Sequence, residues 1–278
     1  MGHYADSEEL ANAYNGLYYF GRAQKFYDMT MALGDIPYKE ALLGEVDKVY
    51  FPKYDAQKDV FLGILEELEL ADSFFAKGKA FAGDPIFAGD ILQWRKLVNS
   101  FTLQVLMQLS KKEADSDLNI KQRFAEIVKN KPLFSSNADN FQLIRSDKSG
   151  QTYPFFKVSN NFVIYPMLSS EIIDRLKANK DRRLFFYAKP SQVKIENGFL
   201  ANDFNAYVGV DPSLPFSDLA AIKTSNDYSM LNDRYTELVT GEPTQIFGYA
   251  HFCFVLAEAA ARGWINDDAA IWYGKGIT

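Results

Sequence analysis

The sequence predicts a mainly α-helical protein whose helices pack as antiparallel pairs, with one loop-rich region and a few short strands. Apolar residues recur at three- and four-residue steps in several separated segments of the 278-residue chain, as on one face of a helix. Hydrophobic residues make up 47% of the chain, which is ample for a core. Turn-forming residues recur throughout residues 185–243, so this segment is predicted to be irregular.

The first helices are predicted from their apolar faces and their ends. The first covers residues 8–33 and stops at Gly34, because glycine permits a left-handed cap and Pro37 forbids continuation. Asp55 is the predicted N-cap of a second helix with an apolar stripe from Phe61 to Phe75. Further helices are predicted over residues 94–109, 118–129, 167–178 and 244–262. The aromatic runs at 141–144 and 153–156 suit short strands or extended loops.

The end of the chain has the spacing of a tetratricopeptide-like helix pair. Cys253, Leu256, Ala257 and Ala260 are followed by Ala269 and Tyr273, and the small residues permit close approach of two helices. Gly263 is the predicted stop of the first helix and Asn266 the predicted cap of the second. Cys253 is interpreted as a buried small hydrophobe, since no partner cysteine exists.

Composition argues against several classes of partner. Thirty basic residues against 36 acidic ones give a net charge of -6, and the basic residues form no stripe, so nucleic acid is an unexpected partner. No apolar run approaches the roughly 20 residues that span a bilayer. The N-terminal residues lack the basic and apolar regions of a signal peptide.

Signals of catalysis are weak, and no cofactor is indicated. His3 and His251 are the only histidines, and His251 is interpreted as a structural residue of a helix. The chain has no Gly-x-Ser-x-Gly motif and no EF-hand pattern, so no catalytic or metal-binding residue is predicted. Calcium binding is not excluded, because calcium needs only oxygen ligands. A chain with 36 acidic residues always contains pairs of carboxylates that could serve a glycosidase, so the sequence does not exclude that chemistry. Glu258 is interpreted as a buried carboxylate supported by Arg262.

Aromatic residues in the irregular segments are the candidates for a ligand site. Sugar rings rest on flat apolar faces, while nearby polar groups bond their hydroxyls. The predicted ligand-binding residues are Tyr153, Phe155, Tyr207, Phe216 and Tyr228. The alternative for each is anchoring of a loop in the core. Trp94, Trp264 and Trp272 lie in predicted helices or helix junctions and are assigned to packing.

Several separated segments, in this order, resemble the SusD/RagB family. They are residues 13–20 (AYNGLYYF), 34–42 (GDIPYKEAL), 52–57 (PKYDAQ), 64–68 (ILEEL), 89–100 (GDILQWRKLVNS), 181–184 (DRRL), 256–264 (LAEAAARGW) and 273–277 (YGKGI). The resemblance implies a single domain over residues 1–278, with helical pairs in 1–135, a loop-rich ligand-facing region in 136–243 and the tetratricopeptide-like pair in 244–278. The resemblance identifies the protein scaffold more firmly than it identifies the ligand.

The resemblance also implies a function and a location. Members are non-catalytic lipoproteins, anchored at the cell surface by a lipidated N-terminal cysteine, that bind oligosaccharides or similar nutrients over a TonB-dependent SusC-like transporter of the outer membrane. This sequence shows neither leader nor N-terminal cysteine and ends after residues 273–277, which predicts truncation at both ends. Two alternatives remain, an α-helical carbohydrate-active hydrolase and a protein-interaction scaffold with a concave peptide groove.

Overall fold

The computed structural model describes residues 5–157 and 166–278, and it confirms the mainly α-helical fold with a small two-stranded sheet. The chain divides into two compact units. Unit 1 comprises Met1–Leu143 and Gln245–Thr278, and unit 2 comprises Ile144–Thr244. In the described part of the chain, no helix is both long enough and apolar enough to cross a bilayer.

The described α-helices are joined by turns and loops of varying length. They are α1 (Glu8–Leu33), α2 (Gln57–Ala76), α3 (Ile91–Gln108), α4 (Ile120–Asn130), α5 (Ser170–Ala178), α6 (Leu184–Tyr187), α7 (Gln192–Glu196), α8 (Phe216–Ser225), α9 (Asp233–Thr236), α10 (Tyr249–Ala261) and α11 (Ala269–Ile277). Strands β1 (Phe141–Leu143) and β2 (Thr244–Phe247) pair with each other. Unit 1 contains α1–α4, α10 and α11, whereas α5–α9 belong to unit 2.

The ends of α1 lie where the sequence predicted them. Ser7 accepts a hydrogen bond from the Leu10 backbone N–H at 3.3 Å, and Gly34 ends the helix with φ 81° and an N–H donated to Thr30. The predicted cap of α2 is wrong, because Ala56 precedes that helix. Asp55 instead accepts the backbone N–H groups of Tyr38 at 3.0 Å and Lys39 at 2.8 Å. It therefore fixes the loop between α1 and α2.

Aromatic rings fill the core among the first three helices. The Phe75 ring stacks on Trp94 with centroids 5.8 Å apart, and Phe20 meets Trp94 edge-on at 5.9 Å. Gly16 of α1 permits this packing, since a Cβ there would lie 2.8 Å from the Phe75 ring. Trp94 is buried and donates its indole N–H to Asp84 at 2.8 Å, which confirms its assignment to packing.

Helices α10 and α11 form the predicted C-terminal pair. Cys253 and Trp264 are buried, and Trp272 is half-buried against the same core, so their assignments to packing are confirmed. Gly263 has φ 69° just after α10, as its role as a helix stop requires. The predicted cap of α11 is wrong, because Asp268 accepts the N–H groups of the first turn in place of Asn266.

The prediction of a helix over residues 244–262 is wrong for the first five residues, because the helix begins at Tyr249. Residues Thr244–Phe247 form β2, which pairs with β1. The Phe247 ring packs against Phe101 and Phe134, with centroids 6.0 and 5.5 Å apart. The side-chain oxygen of Asn140, the residue just before β1, accepts the backbone N–H of Tyr249 at 2.8 Å and so caps the start of α10. A similar difference occurs at α5, where residues 167 and 169 form β-bridges before the helix begins.

Asp139 connects α3 to the segment that leads into β1. Its carboxylate accepts Lys96 Nζ at 2.9 Å and the Ser135 backbone N–H at 2.6 Å, and the residue is 2% exposed. Burial would raise the pKa of Asp139, but the hydrogen bonds from Ser135 and the Lys96 ammonium lower it below its usual value.

Because the folded-state pKa of Asp139 is depressed, its contribution is present above the unfolded-state pKa of about 3.9 and is lost as pH falls through the folded value. We expect Asp139→Asn to lower the free energy of unfolding at pH 7 by about 1–3 kcal/mol. Urea titrations of both proteins at descending pH should show this difference shrinking below about pH 4. Asp28→Asn, at an exposed position of α1, is the control. A difference that stays constant down to acid pH would contradict this role.

Unit 2 has a small core of its own. Its buried residues are Ile173, Leu184, Ala188, Ala206 and Tyr207, with Leu168, Leu176, Phe185 and Phe204 packed around them. Isolated β-bridges join its segments, including Ala188 with Leu231 and Ser169 with Val210. Unit 2 therefore depends on this core and on loop hydrogen bonds rather than on long helices.

Candidate functional site

The surface of unit 2 carries a group of aromatic rings around an ion pair. We call this group the aromatic cluster, and it consists of Tyr153, Phe155, Phe186, Tyr187, Arg234, Tyr235 and Glu242. Phe186 is 57% exposed, and Tyr187 and Phe155 are 38% and 37% exposed. Exposed rings next to hydrogen-bonding groups are the features that a sugar site requires.

Arg234 organises one side of the aromatic cluster. Its guanidinium lies over the Phe186 ring, 5.2 Å from the ring centroid, and forms an ion pair with Glu242. Asn232 caps the helix that carries Arg234, since its side chain accepts the Arg234 backbone N–H at 3.2 Å. The Asn232 N–H donates to the Tyr187 carbonyl at 3.0 Å, which fixes Tyr187 beside α9.

Tyr153 forms the other side of the aromatic cluster. Its backbone N–H donates to the Val239 carbonyl at 2.8 Å, and its ring covers Gly241, where a Cβ would lie 2.2 Å from the ring. Phe155 meets the Tyr153 ring edge-on with centroids 5.7 Å apart. Burial raises the pKa of Tyr235, which also responds to the charges of Arg234 and Glu242 and to the hydroxyls of Tyr187 and Tyr153. Tyr235 therefore lies near the Arg234–Glu242 pair and the rings of Tyr187 and Tyr153.

A small pocket of unit 2 lies between the segment that follows α6 and the segment that precedes α9. It has a volume of about 240 Å³ and is lined by Lys189, Pro190, Gln192, Asn226, Tyr228 and Met230. Lys189 pairs with Asp233 at 2.6 Å, and Asp233 immediately precedes Arg234 of the aromatic cluster. The amides of Gln192 and Asn226 offer both donors and acceptors to a polar ligand.

The structure separates the five residues that the sequence nominated for a ligand. Tyr153 and Phe155 belong to the aromatic cluster, and Tyr228 lines the pocket although it is only 8% exposed. Phe216 is 69% exposed at the start of α8. Tyr207 is 2% exposed in the core of unit 2 and donates its hydroxyl to the Ala201 carbonyl at 2.8 Å, so it anchors a loop and presents no face to a ligand.

Sequence reasoning missed the exposed rings of Phe186 and Tyr187 and the half-buried ring of Tyr235. Residues 185–187 form a run of three aromatic side chains in a turn-rich segment, and a four-residue helix cannot bury all of them. Only Phe185 joins the core, where it contacts Phe204 and Tyr207. The run of aromatic residues was the signal that could have found this site.

The acid and histidine candidates have ordinary surroundings in unit 1. Glu258 is exposed and pairs with Arg262 at 2.6 Å, so its predicted partner is confirmed and its predicted burial is wrong. Burial lowers the pKa of His251, whose ring contacts Phe247. His3 lies outside the described residues. Among residues 5–157 and 166–278, no group of three or more His, Cys, Asp or Glu residues is arranged to hold a metal ion.

The charges at the candidate site favour a neutral ligand. Arg234 is neutralised by Glu242, and Lys189 is neutralised by Asp233. An anionic sugar would have to compete with these carboxylates for the cations, whereas hydroxyl and amide groups can bond to either side of each pair.

Comparison with known proteins decides the family. The family model described as "Starch-binding associating with outer membrane" matches residues 2–278. The chain belongs to the SusD-like family. The outer membrane is therefore the location with which this family is associated, and the SusD/RagB resemblance read from the sequence is confirmed.

Solved structures agree with this assignment. A SusD homologue from Bacteroides fragilis NCTC 9343 is 44% identical, with a TM-score of 0.83 over 99% of this chain and 58% of that protein. A protein from Bacteroides vulgatus ATCC 8482, named as an outer membrane protein with a suggested part in nutrient binding, is 37% identical, with a TM-score of 0.81 over 99% of this chain and 60% of that protein. This SusD-like chain thus spans about six tenths of each relative's length.

A more distant relative carries a ligand in its name. A protein named as chitin-binding is 26% identical, with a TM-score of 0.65 over 98% of this SusD-like chain and 56% of that protein. No curated protein matches the chain.

Proposed function

We propose that this SusD-like protein is a non-catalytic glycan-binding protein of the outer membrane, and that the aromatic cluster of unit 2 is where it holds the glycan. The observation that carries this proposal is the grouping of exposed rings around the Arg234–Glu242 ion pair. The rings offer apolar faces to the C–H groups of a sugar, and the charged pair offers donors and acceptors to its hydroxyls.

The ligand class that we propose is a neutral oligosaccharide. Both cations of the site are paired with carboxylates, which disfavours uronic acids and sulfated sugars. The names of the relatives agree with neutral sugars, since the family description mentions starch and one relative is named as chitin-binding. Tyr153 and Phe155 are proposed to contact the glycan directly, with Tyr228 and the amides of the pocket contacting a neighbouring residue. Phe216 stays a prediction.

The same proposal extends to the partner and to the cell surface. A protein that binds oligosaccharides without cleaving them needs a route for the bound sugar across the membrane. We therefore propose a TonB-dependent SusC-like transporter as the partner and a surface-exposed position, with membrane attachment through an N-terminal lipid anchor. Membership of the SusD-like family supports these proposals.

Removal of one exposed ring tests the site. We expect Phe186→Ala to weaken binding of chito- or malto-oligosaccharides by about 1–3 kcal/mol, because it removes both a stacking face and the surface over which Arg234 lies. Isothermal titration calorimetry of the purified chain against both oligosaccharide series measures this loss, and chromatography of each mixture detects cleavage.

A matched substitution separates the site from general surface effects. Phe51→Ala removes a ring that is 94% exposed in unit 1, and we expect it to leave the affinity unchanged. Equal affinities of the wild type and Phe186→Ala would move the glycan site elsewhere. Cleaved sugar would favour a hydrolase, and absence of binding to every oligosaccharide would favour a protein-interaction scaffold.

A further inference from the structure

A cavity of about 340 Å³ lies among α2, α3 and α4 of unit 1 and shares no residue with the aromatic cluster. Its apolar lining is aliphatic, and it consists of Leu65, Leu68, Leu106 and Ile127. No aromatic side chain lines the cavity, so it lacks the flat face on which a sugar ring stacks. Its volume suits an aliphatic side chain or a small molecule.

Asn99 presents a fixed acceptor to this cavity. The residue is 4% exposed, and its amide nitrogen is close to three acceptors, Asp72 Oδ1 at 3.1 Å, the Arg95 carbonyl at 2.9 Å and the Pro132 carbonyl at 3.3 Å. These acceptors determine which end of the amide is nitrogen. Among the described residues, none donates a hydrogen bond to Asn99 Oδ1. A ligand in the cavity therefore gains by bringing an N–H or O–H donor.

A second cavity of about 610 Å³ adjoins the first, because Glu69 and Arg123 line both. Its lining carries an excess of acid, with four carboxylates against the two cations Lys39 and Arg123. Lys39 is paired with Asp59 at 3.7 Å, whereas Glu66 and Glu69 have no cation within 4 Å in the described part of the chain. A basic group in this second cavity would meet carboxylates that are not already neutralised. We call the two cavities together the α2 groove.

We propose that the α2 groove binds an extended peptide with an aliphatic residue followed two positions later by lysine or arginine. In an extended chain, residues i and i+2 point to the same side and lie about 7 Å apart. The aliphatic side chain fills the first cavity while its backbone N–H donates to Asn99, and the basic side chain reaches Glu66 and Glu69 in the second. This site is independent of the glycan site in unit 2.

Three short peptides test the proposal on the unaltered protein. We expect Ac-Leu-Ala-Lys-NH2 to shift amide signals of α2–α4 saturably in two-dimensional NMR titrations. In the second peptide, Ac-Leu-Ala-Glu-NH2, glutamate replaces lysine and the contact with Glu66 and Glu69 is lost. The third peptide is the lysine peptide with an N-methylated leucine, which has no backbone N–H to donate to Asn99. Each change should weaken binding about tenfold. Added sodium chloride should weaken binding of the lysine peptide, since the charge contact is exposed to screening.

Substitutions in the groove complete the test. Ile127→Phe fills the first cavity from α4 and should abolish the shifts, while Lys129→Ala, at an exposed position of the same helix that does not line the groove, should leave them unchanged. If Ile127→Phe does not fold, the comparison of the three peptides decides the question. Equal affinities for all three peptides, or no saturable shift with the lysine peptide, would overturn the proposal.

Discussion

Replacing Tyr207 with alanine is expected to lower the stability of unit 2 by about 3–5 kcal/mol. Tyr207 is among the largest fully buried side chains of the chain, and its ring contacts Phe185 in the small core that also includes Leu184 and Ile173. The variant leaves a cavity that this irregular unit has few helices to close. It also removes the hydroxyl group that donates a hydrogen bond to the Ala201 carbonyl.

The measurement for Tyr207→Ala is hydrogen exchange of backbone amides, because it reports the stability of each compact unit residue by residue. Amides of unit 2 should lose protection, and those of α1–α3 should keep it. Tyr207→Phe retains the ring and removes only the hydroxyl, so it should cost about 1 kcal/mol. Unchanged protection in Tyr207→Ala would show that the ring is not a core residue and would restore it as a candidate for a ligand.

Replacing Asp72 with alanine is expected to lower the free energy of unfolding of unit 1 by about 3 kcal/mol. Asp72 is 2% exposed and accepts Arg95 Nε at 2.8 Å and Lys131 Nζ at 2.7 Å. Burial would raise the pKa of Asp72, but the hydrogen bonds from Arg95 and Lys131 lower it below its usual value. Removal of the carboxylate leaves two cations facing each other near the core.

Urea unfolding followed by circular dichroism measures the effect of Asp72→Ala. Arg95 and Lys131 are partly exposed and can turn toward water, which is why we expect a value at the low end for a buried ion pair. Glu66→Ala, on the exposed face of the same helix, should change the free energy of unfolding by less than about 0.5 kcal/mol. Similar losses in both variants would contradict a special role for Asp72.

Local signals explain what the sequence could predict. The ends of α1 depend on Ser7 and Gly34, which act on their own backbone within one turn, so the bounds of this helix were predicted correctly. Asp55 was misassigned because its donors, Tyr38 and Lys39, lie 17 and 16 residues away along the chain. The start of the predicted helix at residue 244 was wrong for the same kind of reason, since the pairing partner of β2 is about a hundred residues earlier.

The candidate site was predicted only in part. Tyr153 and Phe155 were nominated from the chemistry of aromatic residues in loops, which is a local signal. Phe186 and Tyr187 join them through a bridge between Ala188 and Leu231, which no local pattern announces. The burial of Tyr207 likewise follows from the packing of distant segments, so composition and spacing could not distinguish it from the exposed rings.

The pairing of β1 with β2 makes unit 2 an insertion with closed ends. The chain leaves unit 1 after Leu143 and returns at Gln245, and these points belong to two adjacent strands. Closing a free loop of this length costs about 4 kcal/mol in chain entropy. The pairing of β1 with β2 on the helical scaffold offsets this cost. Because the strand pair holds both ends of residues 144–244 together, we expect changes in the length of this segment to leave the helical scaffold intact.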